Sequence, residues 1–201
     1  MTQSQTARIL AFAGSSRRES WNRKVLEVAV GGAREAGAEV TVVNLADYPM
    51  PIYNADWHAE HGVPPAMLEL RRLMMASNGL LIASPEYNTS ITPLLKNTID
   101  WLSQGVDGES GDAPFRDKVG GLMGASNGAF GTIRALPHVS QIRACEKTSD
   151  RPRRATHADD SEVGVGRPGA ARPPVGRVDY RTIRTVSVDP VDETTLTVTP
   201  A

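Results

Sequence analysis

Four short apolar runs, each followed by a stretch of helical periodicity, leave the first 144 residues little architectural choice. The runs are "ARILAFAGS" (7–15), "EVTVVNL" (39–45), "GLLIAS" (79–84) and "KVGGLMGAS" (118–126). Residues 22–37 put Leu26, Ala29, Val30 and Ala33 on one helical face, with Gly37 as the stop and Gly31-Gly32 as a weak point. After a loop, "ADYPMPIYNADW", a helix is predicted around Pro64–Ser77, with Met67, Leu70, Leu73 and Met74 as its stripe. Further helices are predicted over 93–103 and 131–144, the latter with Pro137 as a kink or a late start. Strands apolar on both faces, alternating with helices, predict a doubly wound α/β fold built on a parallel sheet.

The character changes at Cys145. From there to Ala201 the chain has eight arginines, one lysine, six prolines and one leucine, with no Phe, Trp or Met. Such a stretch cannot bury enough apolar surface to fold alone and is expected to be disordered. Out-of-frame translation of a GC-rich gene fits the same composition, as does a lineage-specific extension. Within it, "TIRTVSVDPVDETTLTVTP" (182–200) alternates polar and β-branched residues around Asp189-Pro190 and predicts a hairpin. The reading therefore divides the chain into a domain over 1–144 and a tail over 145–201.

Charge and cysteine content narrow the functional classes. A net charge of -1 and a pI near 6.4 give no electrostatic reason to expect nucleic acid or an anionic membrane as partner. Cys145 is the single cysteine, which excludes an intrachain disulfide framework and any cysteine-ligated metal centre. No signal peptide or membrane-length apolar run is read, so a cytoplasmic protein is expected. His58, His61, His138 and His157 show no ligand spacing and are read as plain solvent or loop residues.

In a doubly wound sheet, ligands bind outside the carboxyl ends of the strands, and three loops of unusual composition fall there. "GSSRRESWN" (14–22) offers Ser15, Ser16, Ser20 and Asn22 as hydrogen-bonding groups and Arg17 and Arg18 as cations before a helix start. That suits a phosphate cradle, although it has neither the dinucleotide fingerprint nor a Walker A lysine. A polar loop with Ser20 as an ordinary N-cap fits equally. "SPEYN" (84–88) has a stiffening Pro85, a flat Tyr87, and Glu86 and Asn88 to hold a polar ring edge; a Pro-led turn with a surface tyrosine is the alternative. "GASNGAFGT" (124–132) lets another group approach the backbone, or is a flexible strand–helix turn. The helix N-terminus beyond it is expected to favour negative charge on a bound ring.

Together, "GSSRRESWN", "PEYNTSITPLLKNTIDWLS" and "GASNGAFGTIRAL" resemble the NAD(P)H-dependent FMN reductase family over about residues 7–144. This is the flavodoxin-like group that includes bacterial quinone, chromate and azo-dye reductases. The resemblance implies a three-layer α/β/α fold with a parallel sheet of order 2-1-3-4-5, for which no convincing fifth strand is visible. It implies FMN as cofactor, NADPH or NADH as electron donor, and two-electron transfer to a small-molecule acceptor. Ser15, Arg17, Ser20 and Asn22 would hold the FMN phosphate; Pro85, Glu86, Tyr87 and Asn88 would line the isoalloxazine ring; Ser126 and Gly128 would approach it. The flavin carries the chemistry, so no catalytic side chain or metal is expected. The family's "LKN-x-x-DW" helix is commonly an interface, which implies a homodimer or homotetramer. Trp101 is expected in the core, with Lys96 and Asp100 as an ion pair or helix surface. The rival readings are an FMN-binding electron carrier and an inactive flavin-binding homologue with a damaged C-terminus.

Overall fold

The computed structural model describes residues 6–126, 131–145, 183–188 and 196–200. All four apolar runs form strands: β1 (Arg8–Ala13), β2 (Glu39–Asn44), β3 (Gly79–Ala83) and β4 (Val119–Met123). They pair in parallel in the order β2-β1-β3-β4, with Phe12 beside both Val43 and Ile82, and Ile82 beside Leu122. The helices are α1 (Trp21–Glu35), α2 (Ala55–His61), α3 (Pro65–Met75), α4 (Pro93–Leu102) and α5 (Ala135–Cys145).

Alternation along the strands sends side chains to two separate cores. Leu10, Phe12, Val43, Leu80 and Ile82 face α3 and α4 and Val139 of α5, among Met67, Leu70, Met74, Leu95 and Ile99. Ile9, Ala11, Ala13, Leu81, Ala83 and Met123 face α1 through Val25, Leu26, Val30 and Ala33. Helices on both faces produce the three-layer, flavodoxin-like α/β arrangement that the sequence predicts.

Several local features follow from single residues. α1 runs through Gly31-Gly32 unbroken and stops where Gly37 takes a φ of 87°. α2 falls in the segment read as a loop: Asn54 caps it, its Oδ1 accepting from Asp56 N at 2.8 Å and Trp57 N at 3.0 Å. α5 starts late, after a turn over 131–134, so Pro137 sits in its first turn, where a missing N–H costs nothing. Trp101 is fully buried and donates to the Pro51 carbonyl at 2.7 Å; Lys96 and Asp100 pair on the helix surface. Arg71, buried on α3, donates to the carbonyls of Leu102, Gln104 and Ser110, which fastens the end of α4 and the loop after it.

Among the described residues the parallel sheet ends at β4. The C-terminal stretch forms an antiparallel pair instead, β5 (Ile183–Val188) with β6 (Leu196–Pro200), in which Val186 is opposite Val198. This is the predicted hairpin rather than a fifth parallel strand. Residues 146–182, expected to be disordered, lie outside the described residues.

Candidate functional site

Three loops leave the carboxyl ends of adjacent strands: 14–20 after β1, 84–92 after β3, and, among the described residues, 124–126 and 131–134 after β4. β1 and β3 are neighbours and so are β3 and β4, which places the three loops side by side. Each is also tied to the next by hydrogen bonds. Gly14 N donates to the Ala83 carbonyl at 2.8 Å, and Ser84 N to the Met123 carbonyl at 2.9 Å. Thr92 Oγ1 donates to the Gly14 carbonyl at 2.7 Å and accepts from Leu95 N, capping α4 while holding the first loop. A threonine followed by proline at the first helical position is a sequence signal for such a cap, and sequence reading missed Thr92.

In the first loop Ser15 and Ser20 are buried, while Ser16, Arg17 and Arg18 are exposed. Ser20 occupies the N-cap position of α1, but its hydroxyl makes no bond to the helix. The ordinary capping role is therefore not the one it plays here. Ser15 Oγ accepts from Arg17 N at 3.3 Å. Hydroxyls, two guanidinium groups and a helix N-terminus, with no carboxylate among them except exposed Glu19, are donors suited to a phosphate. Asn22 points elsewhere. Its amide donates to the Ala125 carbonyl at 2.8 Å and accepts from Ala125 N at 2.9 Å, so it locks the third loop onto α1.

The second loop is a tight turn. Tyr87 N and Ser90 O pair at 2.9 Å, Ser90 N and Tyr87 O at 3.0 Å, and the central residues Asn88 and Thr89 have φ of 49° and 67°. Two positive φ values in a row are the signature of a type I′ turn. Pro85, just before it, is buried, and the turn presents Tyr87 to solvent at 52% exposure. A half-exposed aromatic face beside a donor-rich loop suits a flat heterocycle bearing a phosphate tail.

Glu86 does not face that opening. Its Oε2 accepts from Arg134 N at 3.0 Å and Ala135 N at 3.2 Å, and its Oε1 accepts from Arg134 Nε at 2.7 Å. Burial alone would raise its pKa, but the guanidinium and the two backbone N–H groups outweigh that and hold it below the ordinary carboxylate value. The expectation that the α5 N-terminus would favour charge on a ring is therefore corrected: the Glu86 carboxylate already occupies its first N–H groups. At the other end of the turn, Ser90 Oγ lies 3.0 Å from His138 Nδ1, a contact the sequence reading did not foresee.

In the third loop Ser126 Oγ donates to the Gly131 carbonyl at 2.9 Å. A Cβ added to Gly124 would fall on Thr132 Oγ1 and within 2.7 Å of the Ser84 carbonyl, so only glycine lets the second and third loops approach this closely. Gly128 lies outside the described residues.

A parallel four-stranded sheet of order β2-β1-β3-β4 with helices on both faces defines the chain as a flavodoxin-like α/β protein. The pattern of the NADPH-dependent FMN reductase family matches residues 7–153, somewhat beyond residue 144. Similarity to an NAD(P)H-dependent FMN reductase of Pseudomonas aeruginosa is 37% identity over 138 residues, covering 69% of this chain and 70% of that protein. A quinone reductase of Escherichia coli K12 is 33% identical over 140 residues, 69% and 70% of the two chains. The solved structure of a flavoenzyme NAD(P)H:acceptor oxidoreductase from Paracoccus denitrificans superposes with a TM-score of 0.60 at 25% identity, covering 71% and 73%. The chain belongs to the NADPH-dependent FMN reductase family, and is an oxidoreductase that uses FMN with NAD(P)H as electron donor. Among the described residues no helix is long and apolar enough to cross a membrane.

Proposed function

We propose that the chain reduces small-molecule acceptors of the quinone, chromate or azo class, and that its three strand-end loops divide the binding of FMN between them. The observation that carries this is the side-by-side placement of a donor-rich loop and an aromatic-bearing turn on β1 and β3. When bound, FMN supplies two-electron redox chemistry, taking hydride equivalents from a reduced nicotinamide and delivering them to the acceptor. The protein's part is to bind and orient. Ser15, Ser20 and Arg17 direct donors and positive charge at the phosphate. Asn22 keeps the third loop in place rather than meeting the phosphate itself. Tyr87 and Asn88, on the turn that Pro85 stiffens, line one side of the ring. Ser126 borders it from the third loop, the loop to which Gly128 belongs in sequence.

The relatives' names, quinone reductase among them, support a small organic acceptor, and dependence on reduced nicotinamide fits the cytoplasm. The exposed Tyr87 turn and the α4 surface are where a second copy of the chain would complete a homodimer or homotetramer. Residues 1–144 form the FMN-binding unit in this reading, because among the described residues the members of both cores lie between Ile9 and Ile142. Residues 145–201 are an appended segment.

The test is to titrate the purified chain with FMN by visible spectroscopy and then follow NADPH oxidation with a quinone present. Stoichiometric flavin and steady turnover are expected. Flavin uptake without turnover would indicate a carrier or a damaged enzyme, and no uptake would overturn the reading.

A further inference from the structure

The turn that presents Tyr87 is strained, and it is pinned at both ends by one helix. Asn88 and Thr89 both have positive φ, and Thr89 is β-branched, the residue class that tolerates this region least. Strained backbone persists only where its surroundings over-determine it. Here the surroundings are the start of α5. On the near side Glu86 is clamped by Arg134 and by the N–H groups of residues 134 and 135; on the far side Ser90 meets His138. Arg134 closes the turn just before α5 and His138 lies in the first turns of that helix, so both contacts fall at its N-terminal end.

Resting on the FMN reading above, we propose that Arg134 and His138 are positioning residues that set the ring-binding turn: Arg134 acts through Glu86, and His138 through Ser90. Neither needs to touch the flavin. The Glu86 side chain is only 5% exposed, and both of its oxygens accept from donors at the start of α5, so its carboxylate is committed there. The two oxygens have separate tasks: Oε2 serves the backbone N–H groups and Oε1 the guanidinium. Glu86→Gln therefore forces an amide NH2 against a group that also donates, and must release one side of the clamp. Removing Arg134 leaves Oε1 without this guanidinium donor but keeps the helix cap. The ranking of effects follows: Glu86→Gln largest, Arg134→Ala next, His138→Ala least.

The experiment measures the FMN dissociation constant by quenching of flavin fluorescence, together with the melting temperature of each flavin-free protein. Glu86→Gln is expected to weaken FMN about tenfold, and Arg134→Ala roughly fivefold. Arg134→Lys, which keeps the charge but cannot span the same oxygen with two nitrogens, should recover part of the loss. The double variant Glu86→Gln/Arg134→Ala should bind no worse than Glu86→Gln alone, since both break one clamp. FMN affinities within twofold of wild type, with lowered melting temperatures, would make the clamp purely structural and overturn the inference while leaving the family reading intact. Additive losses in the double variant would overturn it too. A wild-type protein that takes up no FMN would overturn both readings together.

Discussion

Thr89 sits at φ 67°, where an L-residue with a branched Cβ is at its worst. Among the described residues its hydroxyl bonds only to the carbonyl of Asn88, at 2.6 Å, so the side chain adds no longer-range tie to them. Thr89→Gly removes the steric cost while giving back part of it as unfolded-chain entropy. The net expectation is a gain of about 0.5–1 kcal/mol in urea unfolding, with no such gain for Thr89→Ala, which keeps Cβ. Glu86 gives a second test at this scale. Its folded-state pKa lies below the ordinary 4.5, so the ionised carboxylate contributes stability in full above that value. The contribution is lost as the pH falls through the lower folded-state pKa. Wild type is therefore expected to exceed Glu86→Gln in urea midpoint at pH 7, and the gap should narrow steadily below about pH 4.5. A gap that is constant down to pH 3 would show that the carboxylate's charge is not what the Arg134 contact uses.

Elements, in this chain, are held by their apolar face more than by propensity, and α1 shows it. Gly31 and Gly32 lie mid-helix on the side away from the sheet, and a Cβ at either would meet nothing within 4 Å. Val25, Leu26, Val30 and Ala33 on the buried side keep the helix intact across them. Gly31→Ala and Gly32→Ala should each raise stability by about 0.5–1 kcal/mol and together roughly twice that, read as a rise in melting temperature with FMN affinity unchanged. Periodicity of this kind is what made the four strands and four of the helices legible in the sequence. α2 was not legible because two turns with no buried residue carry no apolar stripe; only its Asn54 cap marked it. Loop composition singles out three loops that the fold brings to one edge of the sheet, but not which of their side chains tie those loops together. The partners of Asn22 and Glu86 are 103 and 48 residues away, at distances along the chain that no local pattern encodes. Both were read as ligand contacts, and both are spent on holding loops together.

At the scale of the whole molecule, the proposed site is assembled from loops that belong to three strands and rest on two independent cores. Thr92 joins the first loop to α4, Asn22 joins the third to α1, and Glu86 joins the second to α5. A ligand that engages all three loops can bind only when both cores are formed, so FMN has no comparable site on the unfolded chain. Linkage then sets the size of its effect: at a hundred times the dissociation constant, binding adds about 2.7 kcal/mol. For a chain of this length each kcal/mol moves the melting temperature by about 2–4 °C, so saturating FMN should raise it by roughly 5–10 °C. Riboflavin, which keeps the ring and lacks the phosphate, should give a much smaller rise, because Ser15, Arg17 and Ser20 would have nothing to hold. Equal shifts for the two would place the affinity in the ring turn alone and deny the first loop its role as a phosphate cradle.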